Sequence, residues 1–185
     1  MTRSPNFGPR RDGAVPDLIV LHYTAMPDWR AARDWLCNPD AEVSAHYIIS
    51  EQGDVVQLVD EDQRAWHAGA GSWGNISDVN SRSIGIEMNN DGASPFAAPL
   101  MDAVERLVAQ ILDRWAIPAH RVIAHSDLAP GRKTDPGARF DWARMERRGL
   151  AVCAHAGQGI KVDEAAFLDD LAAIGYSTHY DPNVA

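Results

Sequence analysis

Two cysteines, Cys37 and Cys153, are too few for the disulfide framework that holds small secreted domains together. They read as two independent thiols of a reducing compartment. Basic residues are also in deficit: 17 Lys and Arg face 26 Asp and Glu, a formal charge of −9. That balance excludes phosphate-backbone binding as the main task, so no nucleic acid partner is expected. No apolar run is long enough to span a bilayer, so no membrane segment is expected either. The first residues carry charge without the apolar stretch of a signal peptide and without a lipidation Cys. As it stands the sequence predicts a cytoplasmic protein, or a periplasmic one if a leader has been removed. What is present is the composition of a folded domain. The chain has 185 residues, 45% of them hydrophobic, with six Trp, enough for one domain with a sizeable core.

Apolar patterning divides the chain. Asp17–His22 is a short apolar run after Pro16 and reads as a buried strand ending in His22. Trp29–Leu36 reads as a helix stopped by Asn38-Pro39. Ala45–Ser50 and Asp54–Val59 are β-rich runs joined by Glu51-Gln52-Gly53, the pattern of a hairpin. Ser83–Met88 is a further strand, with Ile84 and Ile86 on one face and Ser83, Gly85 and Glu87 on the other. Between Val59 and Ser83 the sequence predicts a long loop that carries Trp66, His67 and Trp73. Leu100 to Trp115 is an amphipathic helix closed by Pro118. Arg121–Ala124 is a short strand delivering His125, and Asp163–Ile174 is a helix capped by Gly175. This irregular alternation, with one hairpin, predicts an α/β or α+β fold built on a mixed sheet covered by helices.

The stretch His125 to Gly137, HSDLAPGRKTDPG, holds an imidazole, an ammonium and a carboxylate in one turn-rich segment. A lone His at a strand end is more often structural than a ligand, and Asp135 alone is a turn former before Pro136. Taken together, His125 and Asp135 bracket a Pro- and Gly-rich loop that folds back on itself, and His22 completes a three-ligand set. Such a set suits one zinc ion and leaves a position for water. Lys133, close to Asp135 in sequence, is either a solvated surface cation or a stabiliser of negative charge on a substrate oxygen. Glu87, inside an apolar strand, needs a partner. It either pairs with Arg82 or another base, or acts as the general base of a hydrolase. Trp66 and His67 form a plausible ligand-contact pair. His46 is as readily structural as functional, and His120, His155 and His179 receive no role.

The motifs LIVLHYTAM, VSAHYIIS, GDVVQLVDEDQRAWHAG, SIGIEMNN and AHSDLAPGRKTDPGARFDW, spread from Ser4 to Arg148, resemble the zinc-dependent N-acetylmuramoyl-L-alanine amidases. That family shares its fold with the peptidoglycan recognition proteins. The resemblance implies a central mixed β-sheet flanked by helices and a groove with one zinc at its floor. It implies His22, His125 and Asp135 as metal ligands, with Glu87 as the catalytic carboxylate and Lys133 as the oxyanion-stabilising cation. Trp66, His67 and Asn89 would line the groove as substrate-binding residues. The partners implied are peptidoglycan fragments, or muropeptides. Ala45 and Asp135 stand where the phage lysozyme branch has Tyr and Cys, which sides this chain with the bacterial recycling and periplasmic amidases. Glu42 and Asp78 stand where recycling enzymes usually carry Arg, which points to a broader muropeptide range. Residues 1–150 would form the amidase domain. Residues 151–185 would form an extension, either the start of a helical peptidoglycan-binding module or a helix docked on the core. Two rivals stand beside this reading: a non-catalytic peptidoglycan-binding module, and another metallohydrolase on the same fold.

Overall fold

The computed structural model describes residues 3–154 and 163–177. His155, His179 and most of the Gly-rich stretch 154–161 lie outside the described residues. The strands are β1 (Phe7–Pro9), β2 (Leu18–Tyr23), β3 (Tyr47–Ile49), β4 (Val55–Gln57), β5 (Gln63–Ala65), β6 (Ser83–Met88) and β7 (Val122–Ala124). The α-helices are α1 (Trp29–Leu36), α2 (Val79–Arg82), α3 (Ala98–Trp115), α4 (His125–Leu128), α5 (Trp142–Arg147) and α6 (Glu164–Ile174).

Five strands form a mixed sheet in the order β4-β3-β6-β2-β7. β3, β6, β2 and β7 run parallel, and β4 joins the edge as the antiparallel arm of the expected hairpin. The alternation of β2 and β6 sends side chains to two faces. Ile19, Leu21, Ile84, Ile86 and Met88 pack on one face against Leu100, Val104, Val108 and Ile111 of α3. Leu18 and Val20 pack on the other with Ala68, Trp73, Val79 and Leu128. Ala32 and Leu36 of α1 cover Ile48 and Leu58. Parallel strands buried on both faces read as continuous apolar runs, which is why LIVLH and SIGIEM stand out in the sequence.

The region from Val59 to Ser83, expected to be one long loop, contains β5 and α2, and β5 pairs antiparallel with the N-terminal β1. These strands are three residues each, and QRA and FGP carry no alternation to announce them. The segment after β7 also differs from expectation. His125 opens a helical turn rather than a loop, with the Asp127 carboxylate accepting from the Ala124 N–H at 2.8 Å. α3 ends with Ala116 in the left-handed region, two residues before Pro118. α6 leaves Phe167, Leu168 and Ile174 exposed. The segment meets the core at its end, where the Gly74 N–H donates to Gly175 O at 2.6 Å and the Tyr176 hydroxyl donates to Asp127 at 2.8 Å.

Candidate metal centre and groove

The register of three parallel strands assembles the site. His22 on β2 lies beside Glu87 on β6, and Leu21 lies beside Ala124 on β7, so His125 follows next to His22. Glu87, His22 and His125 therefore stand side by side at the carboxyl ends of adjacent strands, where α/β sheets hold their ligands. Asp135 returns from the Pro- and Gly-rich loop, whose two ends are tied where the Ser126 N–H donates to Asp135 O at 3.0 Å. His22 Nδ1, His125 Nδ1 and Asp135 Oδ2 approach one another at 2.9–3.0 Å, all on buried residues. Among the described residues these are the His, Cys, Asp and Glu side chains grouped closely enough to hold a metal.

The protons on the outward nitrogens decide what the triangle offers. A carbonyl only accepts, so His125 Nε2–H donates to Ala68 O at 2.9 Å. Ser83 Oγ–H donates to Val79 O at 2.6 Å, so its oxygen accepts from His67 Nε2–H at 3.1 Å. His67 Nδ1 is then left as the acceptor for His22 Nε2–H at 3.0 Å. Burial pulls the His22 imidazole down to about 4, partly offset by its hydrogen bond to Asp135. Burial also holds His67 well below the ordinary His value. The His22 and His67 rings are neutral near pH 7, and with the outward Nε2–H groups engaged by His67 and by Ala68 O, His22 and His125 turn their Nδ1 atoms to the shared point. Burial opposes ionisation of Asp135, yet the two imidazoles beside it outweigh that and hold its carboxyl below the usual range. Two nitrogens and one oxygen facing one point fit a small divalent cation.

Glu87, beside His22 on the neighbouring strand, is in a different state. Its Oε2 is buried with no hydrogen-bond partner. Burial, then the charge of Asp135, pushes its carboxyl up to about 8, against the pull of Lys133. The alternative that Glu87 pairs with Arg82 is excluded, because the Arg82 guanidinium binds Asp17. A carboxyl poised near neutral pH is suited to moving a proton.

These groups open into a groove of about 440 Å³. Trp66, His67 and Lys133 line it, together with Tyr23, Trp35, Val43 and Arg132, which the sequence reading did not single out. Trp35 could have been found: it lies on α1 away from the buried stripe of Trp29, Ala32 and Leu36 and is half exposed. Arg132 reaches Ala68 O and Ala70 O across the groove, a pairing between distant segments that no local pattern signals. Asn89 does not line the groove. Its amide donates to Glu51 at 2.8 Å and its oxygen accepts from Thr24 at 3.3 Å. His67 edges the groove, but both of its ring nitrogens are engaged within the protein. His46 is structural: Nδ1 accepts from the Gly85 N–H and Nε2 faces Gln63 O. Asp78 is ion-paired with Arg64 at 2.8 Å and Arg11 at 3.4 Å. Glu42 is exposed beside Val43 at the rim.

The family model described as N-acetylmuramoyl-L-alanine amidase matches residues 12–138. The chain is similar to the N-acetylmuramoyl-L-alanine amidase AmiD of Escherichia coli K12, 32% identical over 190 residues, covering 89% of this chain and 68% of the relative. It is similar to the 1,6-anhydro-N-acetylmuramyl-L-alanine amidase AmpD of Citrobacter freundii, 32% identical over 159 residues and covering 77% of this chain and 85% of that one. Among solved structures, the complex of E. coli AmiD with anhydro-N-acetylmuramic acid-L-Ala-D-γ-Glu-L-Lys superposes with a TM-score of 0.80 at 31% identity, over 96% of this chain and 76% of that chain. AMPDH3 of Pseudomonas aeruginosa, in complex with an anhydromuramic pentapeptide, gives 0.80 at 27% identity, over 98% of this chain and 80% of that chain.

Proposed function

This chain belongs to the N-acetylmuramoyl-L-alanine amidase family, and we propose that it works with one zinc ion held by His22, His125 and Asp135. Its reaction is hydrolysis of the amide between N-acetylmuramic acid and the L-Ala of a stem peptide, in peptidoglycan or muropeptides. The observation that carries the zinc reading is the convergence of His22 Nδ1, His125 Nδ1 and Asp135 Oδ2 on one point, beside a partnerless carboxyl in an open groove. Two nitrogens and one oxygen are a hydrolytic zinc set.

Zinc bound there supplies Lewis acidity toward water and toward the scissile carbonyl. With a cation's charge beside it to offset burial and Asp135, the Glu87 carboxylate would take the proton released by the attacking water and return it to the leaving L-Ala nitrogen, so it ends the cycle as it began. Lys133, on the groove wall, sets an ammonium against the negative charge that develops on the carbonyl oxygen. Trp35 and Trp66 offer apolar walls to a sugar or peptide. Arg132 sets a fixed positive charge on the groove wall, suited to a substrate carboxylate.

The test is to digest purified anhydro and ordinary muropeptides and identify the products by mass spectrometry. The expected products are a free peptide beginning at L-Ala and the lactyl sugar acid, together heavier than the substrate by one water. Cleavage inside the stem peptide would make the chain a peptidase, and retention without cleavage would make it a binding module.

A further inference from the structure

His67 is held on four sides. The Asn80 side-chain oxygen accepts from the backbone N–H groups of His67 at 3.0 Å and Ala68 at 2.9 Å. Ser83 Oγ takes the His67 Nε2 proton at 3.1 Å while giving its own to Val79 O. Gly85 forms the floor: a Cβ there would lie 2.4 Å from His67 Cγ, so only glycine lets the ring lie on β6. The His46 ring closes the fourth side edge-on, 5.7 Å away between centroids. The free lone pair of His67 Nδ1 is thereby aimed at His22 Nε2, 3.0 Å away. Ser83, Gly85 and Glu87 thus share one face of one strand and serve one site. Glu87 meets the reacting groups, while Ser83 and Gly85 shape the slot that holds His67.

We propose that His67 is a positioning residue for the metal centre: by accepting the His22 Nε2 proton it locks the His22 tautomer and ring angle, keeping Nδ1 turned to the point shared with His125 and Asp135. This rests on the metal reading above. A ring that merely filled the core would need neither an acceptor toward His22 nor a donor toward Ser83, yet both contacts are present and aligned. His125 receives the same service from a backbone carbonyl, Ala68 O, one residue along the chain. The short stretch His67-Ala68 therefore orients both imidazoles of the centre. Partners of this kind commonly change metal affinity by about 10–100-fold when removed.

The experiment compares His67→Phe, which fills the slot without an acceptor, with His67→Asn, which keeps an acceptor near the Nδ1 position but loses the ring. Three readouts are taken on the full chain: the zinc dissociation constant by competition with a chromogenic chelator, the visible spectrum of the Co²⁺-substituted protein, and the stability of the metal-free protein in denaturant. His67→Phe is expected to bind zinc about 10–100-fold more weakly and to alter the Co²⁺ bands. His67→Asn is expected to stay within a few-fold of the parent even where its stability falls. The reverse order, with Phe retaining affinity and Asn losing it, would make His67 a core residue only and overturn the proposal. If His67→Phe does not fold, Ser83→Ala decides: releasing the His67 Nε2 proton is expected to weaken zinc binding by several-fold, and an unchanged affinity would overturn the proposal. A parent chain that binds no zinc would instead remove the metal reading itself, so the two failures are distinct.

Discussion

At the scale of the residue, two side chains that share the groove do different work. Glu87 and Lys133 both line it, and neither belongs to the His22–His125–Asp135 triangle. Glu87→Gln and Lys133→Ala are therefore expected to retain one zinc per chain while losing about 10²–10³ in turnover. Elemental analysis and kcat on the same preparations check this, and loss of zinc with activity would make either residue a ligand. Glu87 also leaves a signature in stability. Its carboxyl rises from about 4.5 to about 8 on folding. Below pH 4.5 both states hold the proton. From there to pH 8 the unfolded chain releases it and the folded one does not, so stability falls as pH rises, by at most about 1.4 kcal/mol per pH unit. His22, lowered to about 4 by burial, acts in the opposite direction, adding stability as pH rises to about 6.5. Denaturant unfolding of the metal-free protein should thus show the advantage of Glu87→Gln over the parent widening from pH 5 to pH 8. A difference constant with pH would contradict the raised value. His22, His125, Asp135 and Glu87 stood out in the sequence because each breaks a local pattern: imidazoles and a carboxyl at or within apolar strands, and an Asp closing a Pro–Gly loop; the pattern left each a structural alternative, and their roles followed from the family resemblance. The role of His67 was not legible. It depends on contacts with Ser83, 16 residues away, and His22, 45 residues away.

At the scale of the element, β6 concentrates the design. Its inner face packs Ile84, Ile86 and Met88 against α3, and its outer face carries Ser83, Gly85 and Glu87 toward the site. Gly85→Ala puts a methyl group into the His67 ring. It is expected to cost about 1–3 kcal/mol of stability and to weaken zinc binding together with it. Unfolding and chelator competition on one variant check both, and a stable variant with parental affinity would show that the ring moves without consequence. The long parallel strands, α1 and α3 were legible from apolar periodicity. β1, β5 and α2 were not, because three- or four-residue elements give too few positions for a period to show. They form because distant segments pair, β1 with β5 across more than fifty residues.

At the scale of the whole molecule, the sheet, both helical layers and the groove are built from residues before Ala154. The C-terminal segment contacts them through Gly175 and Tyr176, with the Tyr176 ring edge-on to Trp73. Among the described residues no helix is long and apolar enough to cross a membrane. A chain ended after Ala154 is expected to keep amidase turnover within about twofold and to lose about 1–3 kcal/mol, from the two hydrogen bonds of Gly175 and Tyr176 and the uncovering of Trp73. Loss of activity would instead make the extension part of the catalytic domain. The central claim, that one zinc at the His22–His125–Asp135 triangle drives the amidase, is tested most directly by titration. Zinc is added to the metal-free protein, and bound metal and muropeptide turnover are measured on the same samples. The two curves should rise together and level at one equivalent, with Asp135→Ala rising in neither. Full turnover in the metal-free protein, or activity that rises only beyond one equivalent, would contradict the account.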